Sequence, residues 1–368
     1  MQYIICNFAA PDRAEMNFIS NGDIRRAASM LAAAENVAII CHVHPDGDAM
    51  GSSLGLARYL TALGKRCGIC LPSPAPRTLD FIFRDGDCTT IDASLHKEQA
   101  EGCILGADLA VCLDLPCIRR ADGLEEAFRQ ARCPKLLIDH HLNPAREDFD
   151  LVFSVQDISS TCELLFHILQ ALPSCGVECS GGKAFPEPDT DCLEALMTGM
   201  TTDSNNFANS TYPSTFEMAS ECLSRGVDRD SIISHLQQEY REARFRLMGY
   251  FLSEKMRISS HGVAYAVLSA GELERFGIEE GETEGFVNIP LGIGAVKMSI
   301  FLREEGSVFR VSIRSKKGVS ASRLAGESFN GGGHEQAAGG RLDIGPEIPD
   351  AAAAERYILE VTDRYFGK

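Results

Sequence analysis

Short apolar runs that close on Asp or His recur through the first half of this 368-residue chain. Residues 37–41 lead into His42-Val-His-Pro-Asp46-Gly-Asp48, residues 108–113 close on Asp114, and residues 135–138 close on Asp139-His140-His141. Runs that stay apolar without alternating read as strands buried on both faces. Helix-like stretches at 23–35 and 53–63, with strand-like pieces at 66–71 and 151–155, complete a βαβ rhythm that predicts a parallel α/β sheet. Such sheets bind ligands at the carboxyl ends of their strands, which is where Asp46, Asp48, Asp114 and His140 fall.

His42, Asp46 and Asp48 are separated by even intervals. In an extended chain such side chains share a face, so the spacing predicts that they converge. Carboxylate and imidazole donors gathered this way suit a hard or borderline divalent cation such as Mn or Mg. The same loop also reads as a polar turn whose Asp residues cap the next helix. Cys67-Gly-Ile-Cys70 lies in a strand-like run with no second pair at zinc spacing, so no metal or redox role is expected there.

The length suggests two domains, and 45% hydrophobic with 24% charged residues is ordinary for a folded protein. A formal charge of −17 argues against a protein that tracks long nucleic acid through phosphate contacts. A small anionic substrate reached through bound cations is compatible with that charge. No apolar run reaches the roughly 20 residues of a membrane span. Residues 1–8 lack the pattern of a secretory leader. Fourteen Cys, many within apolar runs, fit reduced thiols in a cytoplasmic protein.

Residues 159–163 (Ser-Ser-Thr-Cys-Glu) resemble a capping box opening a helix, and residues 173–191 read as a surface loop. A helix is expected over 191–200, followed by a polar turn at 201–207. Strand-like pieces at 264–268, 296–302 and 308–313 and helices at 320–327 and 350–365 indicate a second, α+β domain. The expected division is a first domain at 1–238, a helical linker at 239–256 and a second domain at 257–368. Near the end, Phe329-Asn-Gly331-Gly332-Gly333-His334 brings three Gly before a helix-like start, which lets backbone N–H groups approach an anion. Arg314-Ser315, at the end of a strand, would stand beside that cradle as a phosphate fork.

Taken in order, His42-x-x-Pro-Asp-Gly-Asp-x-x-Gly-Ser, the Asp114 strand end, Asp139-His140-His141 and Asp203 resemble the four motifs of the DHH phosphoesterases. The Gly-Gly-Gly-His segment resembles the hallmark of their DHH-associated C-terminal domain. The resemblance covers about residues 20–365 and is nearest to the small two-domain members that act as oligoribonucleases and 3′-phosphoadenosine 5′-phosphate (pAp) phosphatases. RecJ-type exonucleases are longer. The resemblance implies a parallel five-stranded sheet flanked by helices, plus the smaller C-terminal α+β domain.

It also implies two divalent cations, Mn first, with Mg or Co compatible. One ion would be held by His42, Asp46 and Asp114, the other by Asp48, Asp114, His140 and Asp203, with Asp114 bridging. His141 would face the substrate phosphate and Asp139 would orient the His pair, so that Asp114, His141 and Asp139 form the catalytic set. Arg314, Ser315, Gly332, Gly333 and His334 match positions that hold the nucleotide and its outer phosphate. Asn330 replaces a fourth Gly, Asp203-Ser-Asn-Asn replaces the usual Asp-Thr-Gly-Ser, and His44 occupies a variable position with no expected metal role.

The implied activity is hydrolysis of short nucleotides, among them oligoribonucleotides of a few residues, pAp, pApA or cyclic di-AMP, by water activated between the two cations. A homodimer is compatible; long duplexes and membranes are not expected partners. Hydrolysis of pyrophosphate or polyphosphate is the competing enzymatic reading, and a nucleotide-binding regulator without turnover is the competing reading from another class.

Overall fold

The computed structural model describes residues 19–84, 86–179, 182–238, 240–279 and 281–367, with 237 and 238 described in backbone only. The expectations for residues 1–8 and Cys6 lie outside the described residues. The described residues divide into two compact units, the first containing those from 19 to 75 with those from 82 to 229, the second Pro76–Phe81 with those from 230 to 367.

The first unit is built on six parallel strands: β1 (Asn36–Ile40), β2 (Arg66–Leu71), β3 (Thr89–Asp92), β4 (Leu109–Leu113), β5 (Lys135–Asp139) and β6 (Leu151–Ser154), in the order β3-β2-β1-β4-β5-β6. That is one strand more than the five expected. The addition is β3, a four-residue edge strand in which only Ile91 is buried, too short and too polar to stand out in the sequence. Pairing runs Val37 to Cys67 on one side of β1 and Val37 to Leu109 on the other.

Both sheet faces are covered. Ala38, Ile40, Ala110, Cys112 and Leu137 pack with Ile104 of α3 (Lys97–Leu105) and Phe128 of α4 (Glu125–Gln130). The alternate residues Val37, Ile39, Leu109, Val111 and Leu113 are also buried. Each such side chain stabilises the fold by about 1.5–3 kcal/mol relative to exposure, which explains why these strands read as continuous apolar runs. The remaining helices are α1 (Asn21–Ala33), α2 (Gly47–Ala62), α5 (Thr161–Ala171), α6 (Thr190–Asp203) and α7 (Pro213–Ser224).

Helices α2 and α6 approach through glycine. A Cβ at Gly51 would lie 2.5 Å from the Ala195 carbonyl oxygen, and one at Gly55 would lie 2.6 Å from Leu196 Cδ2. Within 173–191 the chain forms a small hairpin, β7 (Glu178–Cys179) with β8 (Lys183–Ala184). It then passes under Tyr59, whose hydroxyl donates to the Pro186 carbonyl, and ends on Asp189, the N-cap of α6. Residues 180 and 181 lie outside the described residues. Cys67 and Cys70 are three apart on β2, so they face opposite sides of the sheet and cannot share a ligand.

The second unit carries a mixed sheet ordered β13-β14-β12-β11-β10-β9. Its strands are β9 (Arg257–Ile258), β10 (Val263–Leu268), β11 (Met298–Glu305), β12 (Val308–Ser315), β13 (Gly332–Gly333) and β14 (Ala337–Asp343). One face packs Ile300, Phe309 and Val311 against α11 (Ala321–Ser328) and α12 (Ala351–Phe366). The other packs Ala266 and Phe301 against Leu247 of α9 (Glu242–Tyr250) and Phe251 of the π-helical turn that follows. The stretch read as a linker at 239–256 therefore contains part of this unit's own core. α8 (Arg229–Gln238) precedes it, and α10 (Ala270–Phe276) follows β10.

The Gly-rich segment departs from expectation. His334 opens no helix; it sits at the turn of a tight hairpin, donating its N–H to the Ala337 carbonyl at 2.7 Å. Gly332 pairs with Gly339, and Gly333 with Ala338. A Cβ on Gly331 would overlap the Gly339 backbone, and Gly333 has φ +139°. These glycines are required by strand-to-strand approach, a constraint that looks the same in sequence as an anion cradle before a helix.

Candidate active site

Strand β1 delivers His42. Its Nδ1 lies 2.9 Å from the Val43 carbonyl oxygen, which can only accept, so Nδ1 carries the proton and Nε2 is the donor atom offered to the site. Helix α2 begins at Gly47, earlier than the expected Ser53, and this changes how the loop works. Asp46 is the N-cap, accepting from the Asp48 and Ala49 N–H groups. Asp48 already lies in the first helical turn. The carboxylates therefore do not converge along an extended strand, as their even spacing suggested; one caps the helix and the other projects from it.

Asp114 follows β4 directly and has φ +58°, a conformation that is uncommon outside glycine and that concentrates at functional sites. Its two oxygens face different partners. Oδ2 lies 3.4 Å from His42 Nε2, and Oδ1 lies 3.5 Å from His140 Nε2. His42 Nε2 is also 3.8 Å from Asp46 Oδ1. His140 Nε2 stands 3.6 Å from both Asp48 Oδ2 and Asp203 Oδ2. Asp203 reaches this point as the last residue of α6, held close by the glycine contact with α2.

Two donor groups result, His42 with Asp46 and Asp114, and Asp48 with His140 and Asp203; in each, the ligating atoms lie within 4.8 Å of one another. At 3.4–3.8 Å the separations are longer than ordinary hydrogen bonds and lie within a few tenths of an ångström of the spacing of donors on a shared cation, since two ligands each about 2.1 Å from one ion sit roughly 3.0–3.4 Å apart. Among the described residues, His44 joins none of these groups; it is exposed and its N–H donates to Ser73 Oγ.

The electrostatics point the same way. Burial together with Asp114, Asp203 and Asp46 raises the Asp48 carboxyl well above the ordinary carboxylate range, although two N–H groups donate to it. Burial opposes a charge on His42, but the adjacent Asp114 and Asp46 carboxylates override it and push the imidazole up to about 10. Burial likewise opposes ionisation of Asp114, yet the adjacent His42 and the nearby His141 and His140 hold its carboxyl far below the usual range. Four carboxylates share two imidazoles here, so the site lacks positive charge. The donor set and its spacing fit two divalent cations.

Asp139, fully buried at the end of β5, accepts from His141 twice: from the backbone N–H at 3.1 Å and from ring Nδ1 at 2.8 Å. This bond fixes the ring. Burial disfavours the His141 cation, but Asp139 and Asp114 outweigh it and raise its pKa.

Sequence reasoning missed Thr161 and Cys162. The expected capping box is half formed: Ser160 is the N-cap and its hydroxyl accepts from the Glu163 N–H, but the Glu163 carboxylate accepts from the Ser159 N–H rather than from that of Ser160. The first N–H groups of α5 do more than begin a helix: Thr161 N donates to Asp48 Oδ2 at 2.7 Å and Cys162 N to Asp48 Oδ1 at 2.9 Å. The Thr161 hydroxyl donates to Asp114 Oδ1 at 3.0 Å. A Thr at the first helical position carries no spacing signal that would reveal this.

The other expected residues gather within the second unit. Arg314 pairs with Ala337 and Gly333 with Ala338, so the Arg314 strand and the glycine hairpin flank β14 on opposite sides. Arg314 Nη1 donates to the Ile313 carbonyl at 3.0 Å. Ser315 is buried and its hydroxyl donates to the Val319 carbonyl at 2.6 Å. Asn330 has φ +46°; Asn is the non-glycine residue best suited to that conformation, so the backbone path survives the substitution.

A family model described as the DHH family N-terminal domain matches residues 36–200, and one described as the DHHA1 domain matches residues 261–360. The chain is 34% identical to the bifunctional oligoribonuclease and PAP phosphatase NrnA of Thermus thermophilus, over 87% of this chain and 88% of that protein. It is 25% identical to the protein of the same name from Bacillus subtilis, over 82% of this chain and 87% of that one. A crystal structure of an exopolyphosphatase-related protein from Bacteroides fragilis superposes with a TM-score of 0.84 at 33% identity, covering 94% of this chain and 97% of that one. The chain belongs to the DHH family of phosphoesterases, with an N-terminal DHH domain and a DHHA1 domain.

Proposed function

We propose that this protein hydrolyses phosphate esters of short nucleotides, oligoribonucleotides of a few residues and pAp foremost, with two divalent cations, Mn first among them. The observation that carries the reading is Asp114, which presents one carboxylate oxygen to each of two donor groups. His42, Asp46 and Asp114 would hold one cation; Asp48, Asp114, His140 and Asp203 would hold the other. When bound, such a pair lowers the pKa of water between the ions and offsets charge on the phosphoryl oxygens.

The chain's own groups do the rest. Thr161 and the first N–H groups of α5 fix the bridging and flanking carboxylates. Asp139 orients His141 and favours its cationic form, in which it would stabilise negative charge developing on the phosphate and release a proton to the departing oxygen. In the second unit, Arg314, Gly332, Gly333 and His334 would hold an outer phosphate or the nucleotide, with Ser315 supporting that strand end. The NrnA relatives support the nucleotide substrate class. No disulfide joins two of the described cysteines, which supports a reducing, cytoplasmic setting, and among the described residues no helix is long and apolar enough to cross a membrane.

The test is turnover of a 5′-labelled RNA dinucleotide, pAp, cyclic di-AMP and pyrophosphate in parallel with Mn, using wild type and Asp114→Ala. Hydrolysis of the dinucleotide or pAp, abolished by Asp114→Ala, is the expected result. Cleavage of pyrophosphate alone would overturn the substrate class, and nucleotide binding with no turnover would leave a regulator.

A further inference from the structure

We propose that Phe207 and Phe216 form a platform on which a nucleobase of the substrate stacks, and that this platform selects nucleotides over inorganic phosphates. The inference rests on the phosphoesterase reading for the position of the phosphate. The two rings lie parallel, with centroids 5.4 Å apart and planes 10° from each other. Phe216 is 58% exposed, so the stack ends in an open aromatic face.

The turn that presents Phe207 is costly. Asn205, Asn206 and Phe207 follow one another with φ of 47°, 56° and 67°, and a bulky residue in that region is an outlier. Each such residue costs on the order of 1–3 kcal/mol and persists only where its surroundings impose it. Here Asn206 N donates back to the Thr201 carbonyl at 2.8 Å and Phe207 N to Ser204 Oγ at 3.1 Å. Arg229 donates to the Asn206 side chain, and its guanidinium lies 5.8 Å from the Phe207 ring centre.

Both rings are tied to the carboxylate cluster. Phe207 is four residues beyond Asp203, at most about 15 Å along the chain, and the doubled-back turn shortens that path. Phe216 follows Thr215, whose hydroxyl donates to Glu163 Oε2 at 2.7 Å. Glu163 lies in the first turn of α5, the turn that holds Asp48 and Asp114. The aromatic pair is therefore anchored to two of the elements that carry the cluster, α6 through the turn after Asp203 and α5 through Glu163, with the Arg229 guanidinium against Phe207.

A nucleobase suits this surface because every base offers a π-face, and stacking on aromatic side chains is the sequence-tolerant way to hold single-stranded nucleotides. A second copy of the chain is a poorer occupant, since two chains each carrying −17 repel one another. Pyrophosphate has no base and would gain nothing from the rings.

The chain contains no Trp, so Phe216→Trp introduces a single indole at the open face. The experiment uses the full Mn-loaded chain titrated with AMP and with ribose 5-phosphate, following indole fluorescence in Phe216→Trp and calorimetric Kd in wild type and Phe216→Ala. The expected result is saturable quenching by AMP and not by ribose 5-phosphate. The AMP Kd should rise roughly 5- to 150-fold in Phe216→Ala while the ribose 5-phosphate Kd stays unchanged. An unchanged AMP Kd in Phe216→Ala, equal wild-type affinity for the two ligands, or no AMP binding at all would overturn the platform. A changed oligomeric mass in Phe216→Ala with AMP affinity intact would assign the ring to a subunit interface instead, and also overturn it. Loss of the phosphoesterase reading itself would show separately, as absence of turnover in wild type, because AMP binding needs no hydrolysis.

Discussion

The Thr161 hydroxyl donates a hydrogen bond to Asp114 Oδ1 at 3.0 Å, from a residue that is itself fully buried. Partners of this kind fix the direction of a metal ligand's lone pairs, and their removal typically costs about 10- to 100-fold in metal affinity or activity. Thr161→Val keeps the shape and deletes the donor. It should weaken Mn binding by about that factor in a calorimetric titration, and Thr161→Ser should restore most of it. Equal affinity in Thr161→Val and wild type would mean that the hydroxyl does not position the carboxylate.

His141 is held by Asp139 through Nδ1. If it acts on the phosphate, His141→Ala should lower kcat by about 10²–10⁴-fold with the bound-metal content unchanged by elemental analysis. Loss of one metal equivalent in this variant would make His141 a ligand.

The metal-free protein should show an unusual pH profile. His42 has a folded pKa of about 10 against an ordinary value of 6.5. A group raised in this way contributes stability that is complete below its unfolded pKa and is lost as pH rises through the folded one. Asp48, also raised, acts in the same sense from the carboxylate range upward. The lowered carboxyls Asp46 and Asp114 act oppositely, their contribution being lost in acid. With chelator present, the Tm should therefore fall between pH 6.5 and about 10. Cations bind the deprotonated donors and release protons, so Mn should raise the Tm and remove that decline. A metal-free Tm that is flat across the window would contradict this.

Gly51→Ala would push a methyl to 2.5 Å from the Ala195 carbonyl oxygen. Backbone oxygen cannot step aside as a flexible side chain can, so α2 and α6 must separate. Overpacking of this kind costs about 1–3 kcal/mol, measurable by denaturant unfolding. Because α6 carries Asp203, the variant should also bind Mn more weakly than its loss of stability accounts for.

The sequence made the sheet legible because strands buried on both faces leave unbroken apolar runs, as at β1, β4 and β5. It also exposed the cluster, since Asp114, Asp139 and His140 stand at the ends of those runs. β3 escaped because a four-residue edge strand needs little apolar surface. The helix expected after Gly331 and Gly333 is absent because glycine marks close backbone approach of any kind, and the backbone these two approach, at Gly339 and Ala337, belongs to a different strand. Even spacing suggested the right cluster from His42 to Asp48 for the wrong reason, since Asp46 caps α2 and Asp48 belongs to it. Thr161 was invisible because its role depends on a carboxylate 47 residues away in the chain.

The central claim is that Asp114 joins two cation sites. Titration of metal-free protein with Mn, read by calorimetry and by electron paramagnetic resonance, tests it most directly. The account predicts two equivalents per chain with the spectrum of a magnetically coupled pair, and loss of the coupling in Asp114→Ala. A single equivalent, or two that remain uncoupled in wild type, would contradict it.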